Sequence, residues 1–186
     1  MPSAPHNVVL VGFMATGKTT VGRRLAARLG WRFVDTDARI EAIAGRPVAE
    51  IFAREGEAHF RELETRVARE LDRERGVVIA TGGGILGRAA NVAALRAAGP
   101  IVCLTASPEA ILRRAGDLRS RPLLARASDP LAEIRRLLAE RAAQYALADH
   151  TVDTSELTVD EVVEHLCRVL PSLSPERLTR SSSGAA

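Results

Sequence analysis

A glycine-rich segment near the N-terminus has the residue types and spacing of a phosphate-binding loop. Residues 12–19 read Gly-Phe-Met-Ala-Thr-Gly-Lys-Thr and fit the pattern G-x-x-x-x-G-K-[ST]. In such a loop, consecutive backbone N–H groups and the following helix N-terminus bind phosphate oxygens. The pattern therefore predicts that a nucleoside triphosphate is bound by six consecutive residues, Ala15, Thr16, Gly17, Lys18, Thr19 and Thr20.

Two side chains of this loop have a predicted chemical role. Lys18 is the only lysine of the chain, and all other strong bases are arginines. A compact ammonium suits a phosphate cradle better than a planar guanidinium, so we expect Lys18 to act in catalysis as well as in binding. The Thr19 hydroxyl is a candidate magnesium ligand. The alternative, a chance glycine turn between a strand and a helix, does not explain the complete pattern.

Two aspartates follow the second predicted strand. Asp35 and Asp37 come directly after the run at 31–34, at the edge of the sheet where α/β proteins bind ligands. In extended backbone, residues two apart face the same side, which would aim both carboxylates at the γ-phosphate. One would hold the hydrated metal, and the other would accept the proton of an incoming hydroxyl. Alternatively, one of them caps the helix that is predicted to begin near Ala38.

The elements that must position these residues alternate between strand and helix. Five runs rich in β-branched residues predict strands at 8–11, 31–34, 77–80, 101–104 and 151–152. Helical spacing occurs at 19–29, 58–71 and 131–148, and caps with proline predict helix starts after Ser107 and after Asp129. This order predicts a three-layer α/β fold, in which helices cover both faces of a parallel sheet.

The composition indicates one enzyme domain without a nucleic-acid tail. The chain has 186 residues, 46% hydrophobic residues, 26% charged residues and a net charge of only +3. Five arginines lie between 113 and 126 with one acid among them, a cluster suited to a small anion. Cys103 and Cys167 are in no metal or disulfide pattern, and no apolar run is long enough to span a membrane. We expect a cytoplasmic protein with no nucleic-acid or membrane partner.

Five motifs in order resemble those of the shikimate kinase family. They are the loop at 12–20, Asp35-Thr36-Asp37, Phe60-Arg61-Glu62-Leu63-Glu64, Thr81-Gly82-Gly83-Gly84 and Arg121-Pro122-Leu123-Leu124. The resemblance covers about residues 7–170. It implies a five-stranded parallel sheet like that of nucleoside monophosphate kinases, with a substrate-binding subdomain at about 36–64 and a lid at about 113–126. Residues 171–186, rich in Ser and Pro, are predicted to be a mobile tail.

The resemblance also implies an activity. Family members convert ATP and shikimate to ADP and 3-phosphoshikimate, with Mg²⁺, in the pathway to chorismate and the aromatic amino acids. It implies a cytoplasmic enzyme, which we expect to be a monomer. Two alternatives remain: a gluconate-type kinase on the same scaffold, and a regulator that binds nucleotide without catalysis.

The family resemblance assigns roles to particular residues. Arg61 and Arg141 match arginines that bind the shikimate carboxylate, and Glu64, three residues after Arg61, would orient it. Gly83 would contact the substrate through its backbone. Arg121, in the lid, would reach ATP and the transferring phosphoryl group.

We assign Asp37 to the acceptor hydroxyl, as its base, and Asp35 to the metal, together with Thr19. The residues that contact the adenine stay unassigned. Arg113, Arg114, Arg119 and Arg126 are interpreted as solvated helix and loop charges.

Overall fold

The structure, a computed structural model, describes residues 7–116, 124 and 127–173. Its sheet has five strands: β1 Asn7–Val11, β2 Arg32–Asp35, β3 Val77–Ala80, β4 Ile101–Thr105 and β5 His150–Asp153. All of the pairings are parallel, and the order across the sheet is β2-β3-β1-β4-β5. The five strands and the parallel sheet predicted from the sequence are therefore confirmed.

Seven α-helices surround the sheet in the described part of the chain. They are α1 Lys18–Leu29, α2 Thr36–Ala44, α3 Val48–Glu70, α4 Ala89–Ala98, α5 Pro108–Ala115, α6 Pro130–Tyr145 and α7 Val159–Val169. Ser107 and Asp129 cap α5 and α6 with their side chains, and a proline follows each of them in the first turn. Both helix starts predicted from the sequence are confirmed.

Alternate residues of β1 point to two separate apolar cores. Val9 and Val11 pack with residues of α2, α3 and α4 on one face of the sheet. Val8 and Leu10 pack with residues of α1 and α7 on the other face. Because side chains alternate along a strand, an unbroken apolar run such as β1 requires a helical layer on each face. This is the three-layer arrangement that the sequence predicts.

The long helix α3 is interrupted at Gly56. The sequence predicts a helix only from residue 58, whereas the structure begins it at Val48 and breaks it at Gly56, with φ 82° and ψ 172°. This backbone conformation is essentially confined to glycine. The break explains why helical periodicity is recognisable only after it.

The two cysteines, the predicted lid and the predicted tail were further points of the sequence analysis. Cys103 is buried, and burial raises the pKa of its thiol to about 11, whereas Cys167 is only partly buried. Both thiols are free.

Most of the predicted lid and most of the predicted tail lie outside the described residues. Pro171 and Ser172 continue the chain as the 3₁₀ turn Leu170–Ser172. Within the described ranges, no helix is both long enough and apolar enough to cross a membrane.

Candidate active site

A cleft of about 770 Å³ lies at the carboxyl edge of the sheet. Because all five strands are parallel, their carboxyl ends meet at this edge. The segments that follow β1, β2, β3 and β5 all contribute to the cleft wall. Among the predicted site residues, the cleft brings together Ala15, Thr16, Gly17, Lys18, Thr19, Thr20, Asp35, Asp37, Arg61, Gly83 and Arg141.

The loop between β1 and α1 depends on its two motif glycines. Gly12 has φ 138°, and a Cβ atom there would lie 2.2 Å from the Leu104 carbonyl oxygen. Gly17 precedes α1 with φ 99°. Both positions require a positive φ, and Gly12 also requires the absence of a side chain. The predicted strand-loop-helix context of the motif is confirmed.

Ala15 lies in the same loop with φ 59°, the only positive φ of a non-glycine residue in the described ranges. For an L-residue this left-handed conformation costs roughly 1–2 kcal/mol. The loop therefore stores local strain at Ala15.

Lys18 and Thr19 begin α1 and face the cleft with their side chains engaged. The Lys18 ammonium donates to the carbonyl oxygens of Gly12 and Phe13, at 2.8 and 2.7 Å. The Thr19 hydroxyl donates to Asp35 Oδ2 at 3.3 Å. Lys18 is thus hydrogen-bonded to the loop backbone, and the Asp35 carboxylate, the candidate metal ligand, is hydrogen-bonded to Thr19.

Asp35 is the residue that caps α2. Its Oδ1 accepts hydrogen bonds from the backbone N–H groups of Asp37 and Ala38, at 3.0 and 3.4 Å. The capping alternative is therefore correct for Asp35, although its second oxygen still faces Thr19. The expectation that both aspartates project from extended backbone is wrong, because β2 ends at Asp35 and Asp37 already lies in the first turn of α2.

Asp37 combines burial with an unpaired oxygen. Its Oδ1 is buried, and no hydrogen-bond partner for it exists among the described residues. Burial, together with the neighbouring charges of Asp35 and Glu64, raises the pKa of Asp37 to about 6, although Lys18 acts in the opposite direction. A carboxylate in these surroundings is an acceptor available to a donor in the cleft, and it keeps its proton to a higher pH than an ordinary aspartate does.

Arg61 is held by two glutamates of α3. Its Nη1 donates to Glu64 Oε2 at 2.9 Å, while its Nε and Nη2 donate to Glu57 Oε1 at 3.2 and 3.0 Å. Glu64 is buried, and burial raises the pKa of its carboxyl group, although the Arg61 charge opposes this shift. The predicted contact of Glu64 with Arg61 is confirmed, while the contact with Glu57 was not predicted.

Arg141 and Tyr145 lie one turn apart on α6 and converge on the Gly83 carbonyl oxygen. Arg141 Nη1 donates to this oxygen at 3.3 Å, and the Tyr145 hydroxyl donates to it at 2.9 Å. The Arg141 guanidinium also lies 5.4 Å from the centre of the Phe13 ring. These contacts connect α6, the segment after β3 and the phosphate-binding loop.

Each glycine of the Gly82-Gly83-Gly84 triplet lies against a different predicted site side chain. A Cβ atom on Gly82 would come within 2.9 Å of Asp37 Oδ1. On Gly83 it would come within 3.1 Å of the Arg141 guanidinium, and on Gly84 within 3.0 Å of that of Arg61. The backbone φ of the three glycines is not positive. The triplet is therefore required for close packing against side chains more than for a special turn conformation.

Comparisons with known proteins agree with this geometry. Residues 14–171 match the family model described as shikimate kinase. Two curated shikimate kinases, from Pelotomaculum thermopropionicum and Caldanaerobacter subterraneus, are 47% and 48% identical over 88% and 87% of this chain and 95% and 94% of theirs. The chain belongs to the shikimate kinase family. A solved structure of shikimate kinase from Acinetobacter baumannii in complex with shikimate is 37% identical, with a TM-score of 0.84, and the match covers 92% of this chain and 95% of that one.

Some residues of the site in this shikimate kinase family member were not found by sequence reasoning. Arg114 lines the end of the cleft beside the segment after β5, and it donates to the Thr154 hydroxyl at 2.9 Å and to the Ser155 carbonyl oxygen at 3.1 Å. Arg113 and Arg114 are both exposed, as expected of solvated charges, but Arg114 is also hydrogen-bonded to the segment after β5, which was not predicted. Tyr145 had a usable signal, since it lies four residues after Arg141.

The role predicted for Arg121 stays a prediction. Arg121, and the part of the lid around it at 117–123, lie outside the described residues.

Proposed function

We propose that this chain transfers the γ-phosphoryl group of ATP to the 3-hydroxyl of shikimate, giving ADP and 3-phosphoshikimate. The observation that carries the proposal is the buried, unpaired Asp37 carboxylate oxygen, in a cleft whose wall includes both the phosphate-binding loop and two arginines. A hydroxyl that donates to Asp37 would satisfy this acceptor. Because the chain belongs to the shikimate kinase family, shikimate is the acceptor that we propose.

The loop end of the cleft would bind the polyphosphate. The N-terminus of α1 and the N–H groups of the loop supply donors for phosphate oxygens. Lys18, which donates to two loop carbonyls, would move its ammonium to the β- and γ-phosphates. A charge there stabilises the negative charge that develops during transfer.

Thr19 and Asp35 would hold Mg²⁺ with the nucleotide. Their facing oxygen atoms are 3.3 Å apart, and hydroxyl and carboxylate oxygens suit this ion. In the described ranges no three His, Cys, Asp or Glu side chains form a metal cluster. That donor set fits an ion that takes most of its ligands from water and phosphate, and whose chemistry is to neutralise charge on the phosphates.

Asp37 would orient the acceptor hydroxyl and take up its proton as the oxygen attacks the γ-phosphorus. The bond from phosphorus to the bridging oxygen of ADP breaks as the new ester bond forms. Since phosphoryl transfer runs through a loose transition state, orientation contributes together with proton removal. A pKa of about 6 leaves Asp37 mainly ionised at neutral pH, and so able to accept.

The arginine end of the cleft would bind the substrate carboxylate. Arg61 and Arg141 each offer guanidinium donors, which match a carboxylate in geometry and charge. Glu64 and Tyr145 would keep the arginines and Gly83 in place. Arg121 would enter on lid closure and stabilise the transferring group, as the family resemblance implies. We further propose a cytoplasmic monomer with the lid and subdomain boundaries predicted from the sequence.

A coupled assay of ADP release tests the function. We expect turnover with shikimate and MgATP, and none above background with gluconate or nucleoside monophosphates. The Lys18→Met variant serves as the control. It removes the ammonium group that would bind the phosphates, and Lys18 lies outside the apolar cores on the two faces of the sheet. Turnover with gluconate alone would identify the alternative kinase. ATP binding without turnover on any acceptor would identify a non-catalytic regulator.

A further inference from the structure

We propose that Glu57 is a built-in competitor of the substrate, which occupies the donors of Arg61 that a substrate carboxylate needs and thereby sets the affinity for the acceptor. The inference rests on the proposed function, because it takes the carboxylate of shikimate as the group that must displace Glu57. It starts from the distribution of hydrogen bonds around the Arg61 guanidinium.

Arg61 has all three of its guanidinium nitrogens engaged by carboxylates. Nη1 is taken by Glu64 at 2.9 Å, and the edge formed by Nε and Nη2 is taken by one oxygen of Glu57 at 3.2 and 3.0 Å. A carboxylate ligand that binds through a bidentate fork needs one complete edge of the guanidinium. Glu57 therefore occupies one of the two bidentate edges of the guanidinium, and a substrate carboxylate that binds through this edge would compete with it.

The two glutamates differ in how readily they can leave. The side chain of Glu64 is 1% exposed, whereas that of Glu57 is 66% exposed. A buried carboxylate that loses its partner pays a large desolvation penalty, while an exposed one exchanges its partner for water at little cost. Glu57 is the replaceable partner, and Glu64 is the permanent one.

Glu57 lies beside the place proposed for the substrate carboxylate. A second cavity of about 310 Å³ adjoins the main cleft and shares Arg61, Gly84 and Arg141 with it. Glu57 lines this second cavity, beside both arginines. A carboxylate held by both arginines would lie where the two cavities meet, and there it would also meet the negative charge of Glu57.

The backbone holds Glu57 in this position through the break in α3. Gly56, with φ 82° and ψ 172°, is the residue that directly precedes Glu57. Glu57 is therefore the first residue after the break, and it lies one turn before Arg61, at the spacing that favours a Glu–Arg contact. The same carboxylate would not be held against Arg61 by an irregular loop.

Isothermal calorimetry with shikimate on the unaltered protein, Glu57→Gln and Glu62→Gln tests this proposal. An exposed ion pair such as that between Glu57 and Arg61 contributes about 0.3–1 kcal/mol. Shikimate no longer has to break this pair in Glu57→Gln, so it should bind that variant about two- to five-fold more tightly. Glu62 is an exposed acid on the same helix, and it lines a different cavity together with Arg66 and Arg69. Its replacement removes the same charge and should leave the affinity unchanged.

Shikimate methyl ester, which has no charged carboxylate, separates competition from a general effect. We expect the ester to bind Glu57→Gln and the unaltered protein equally. Unchanged or weaker shikimate binding in Glu57→Gln would overturn the proposal, because Glu57 would then be neutral or would support Arg61. Equal tightening in Glu62→Gln, or equal tightening for the ester, would also overturn it. If the unaltered protein does not bind shikimate at all, the proposed function itself is wrong.

Discussion

Replacement of Asp37 by asparagine should stabilise the protein while it removes activity. The pKa of Asp37 is raised from an ordinary value of 3.8 to about 6, so the folded state binds this proton more tightly than the unfolded state does. As the pH rises through this interval, the folded state must ionise a buried carboxyl group that the unfolded chain ionises freely. The stability of the unaltered protein therefore falls between about pH 4 and pH 6 because of this group.

The magnitude follows from the size of the shift. At about 1.36 kcal/mol per pH unit, the raised pKa corresponds to about 3 kcal/mol of lost stability above pH 6. Asp37 lies at the wall of an open cleft, where water screens part of this effect, so about 1–3 kcal/mol is expected. Asparagine has nearly the same shape and carries no charge at any pH. Below pH 4 the two proteins should be equally stable.

Urea unfolding at pH 4, 5, 6 and 8, with both proteins side by side, measures this difference. The free energy of unfolding of Asp37→Asn minus that of the unaltered protein should grow with pH and level off above pH 6. In parallel, turnover should fall by about 10²-fold or more, as for the loss of a general base. A stability difference that does not change with pH would refute the reasoning, because Asp37 would then carry no ionisation cost.

The other predictions concern the neighbours of Asp37 and the backbone. Asp35→Asn should keep the cap of α2, since asparagine also caps helices, but should raise the magnesium concentration needed for half-maximal activity; an unchanged magnesium titration would contradict the metal assignment. Arg61→Lys should weaken shikimate binding about 10- to 100-fold in calorimetry, with ATP affinity unchanged, because an ammonium does not form a bidentate fork. Gly56→Ala should lower the free energy of unfolding by roughly 1–3 kcal/mol through φ alone. A Cβ atom there meets nothing within 4 Å, so a much larger loss in urea unfolding would point to a clash.

The elements of the fold and the loop could be predicted because their signals are local. A buried parallel strand is a short apolar run, and the phosphate-binding pattern lies within eight consecutive residues. The caps at Ser107 and Asp129 are local as well, since each side chain bonds a backbone N–H three residues along the chain. The contact between Arg61 and Glu64 follows from helical spacing for the same reason.

The properties of the site depended on contacts that no local pattern contains. The burial of Asp37 comes in part from Gly82, which is distant in sequence, and the Gly83 carbonyl oxygen is bonded from α6. The contact of Arg114 with Thr154 spans 40 residues. Burial and charge at a point are sums over all atoms nearby, whichever part of the chain they come from. The sequence therefore determined which groups reach the carboxyl edge of the sheet. Only the tertiary structure decided that Asp35 caps a helix, that Asp37 is the buried acid with a raised pKa, and that Glu57 is bonded to Arg61.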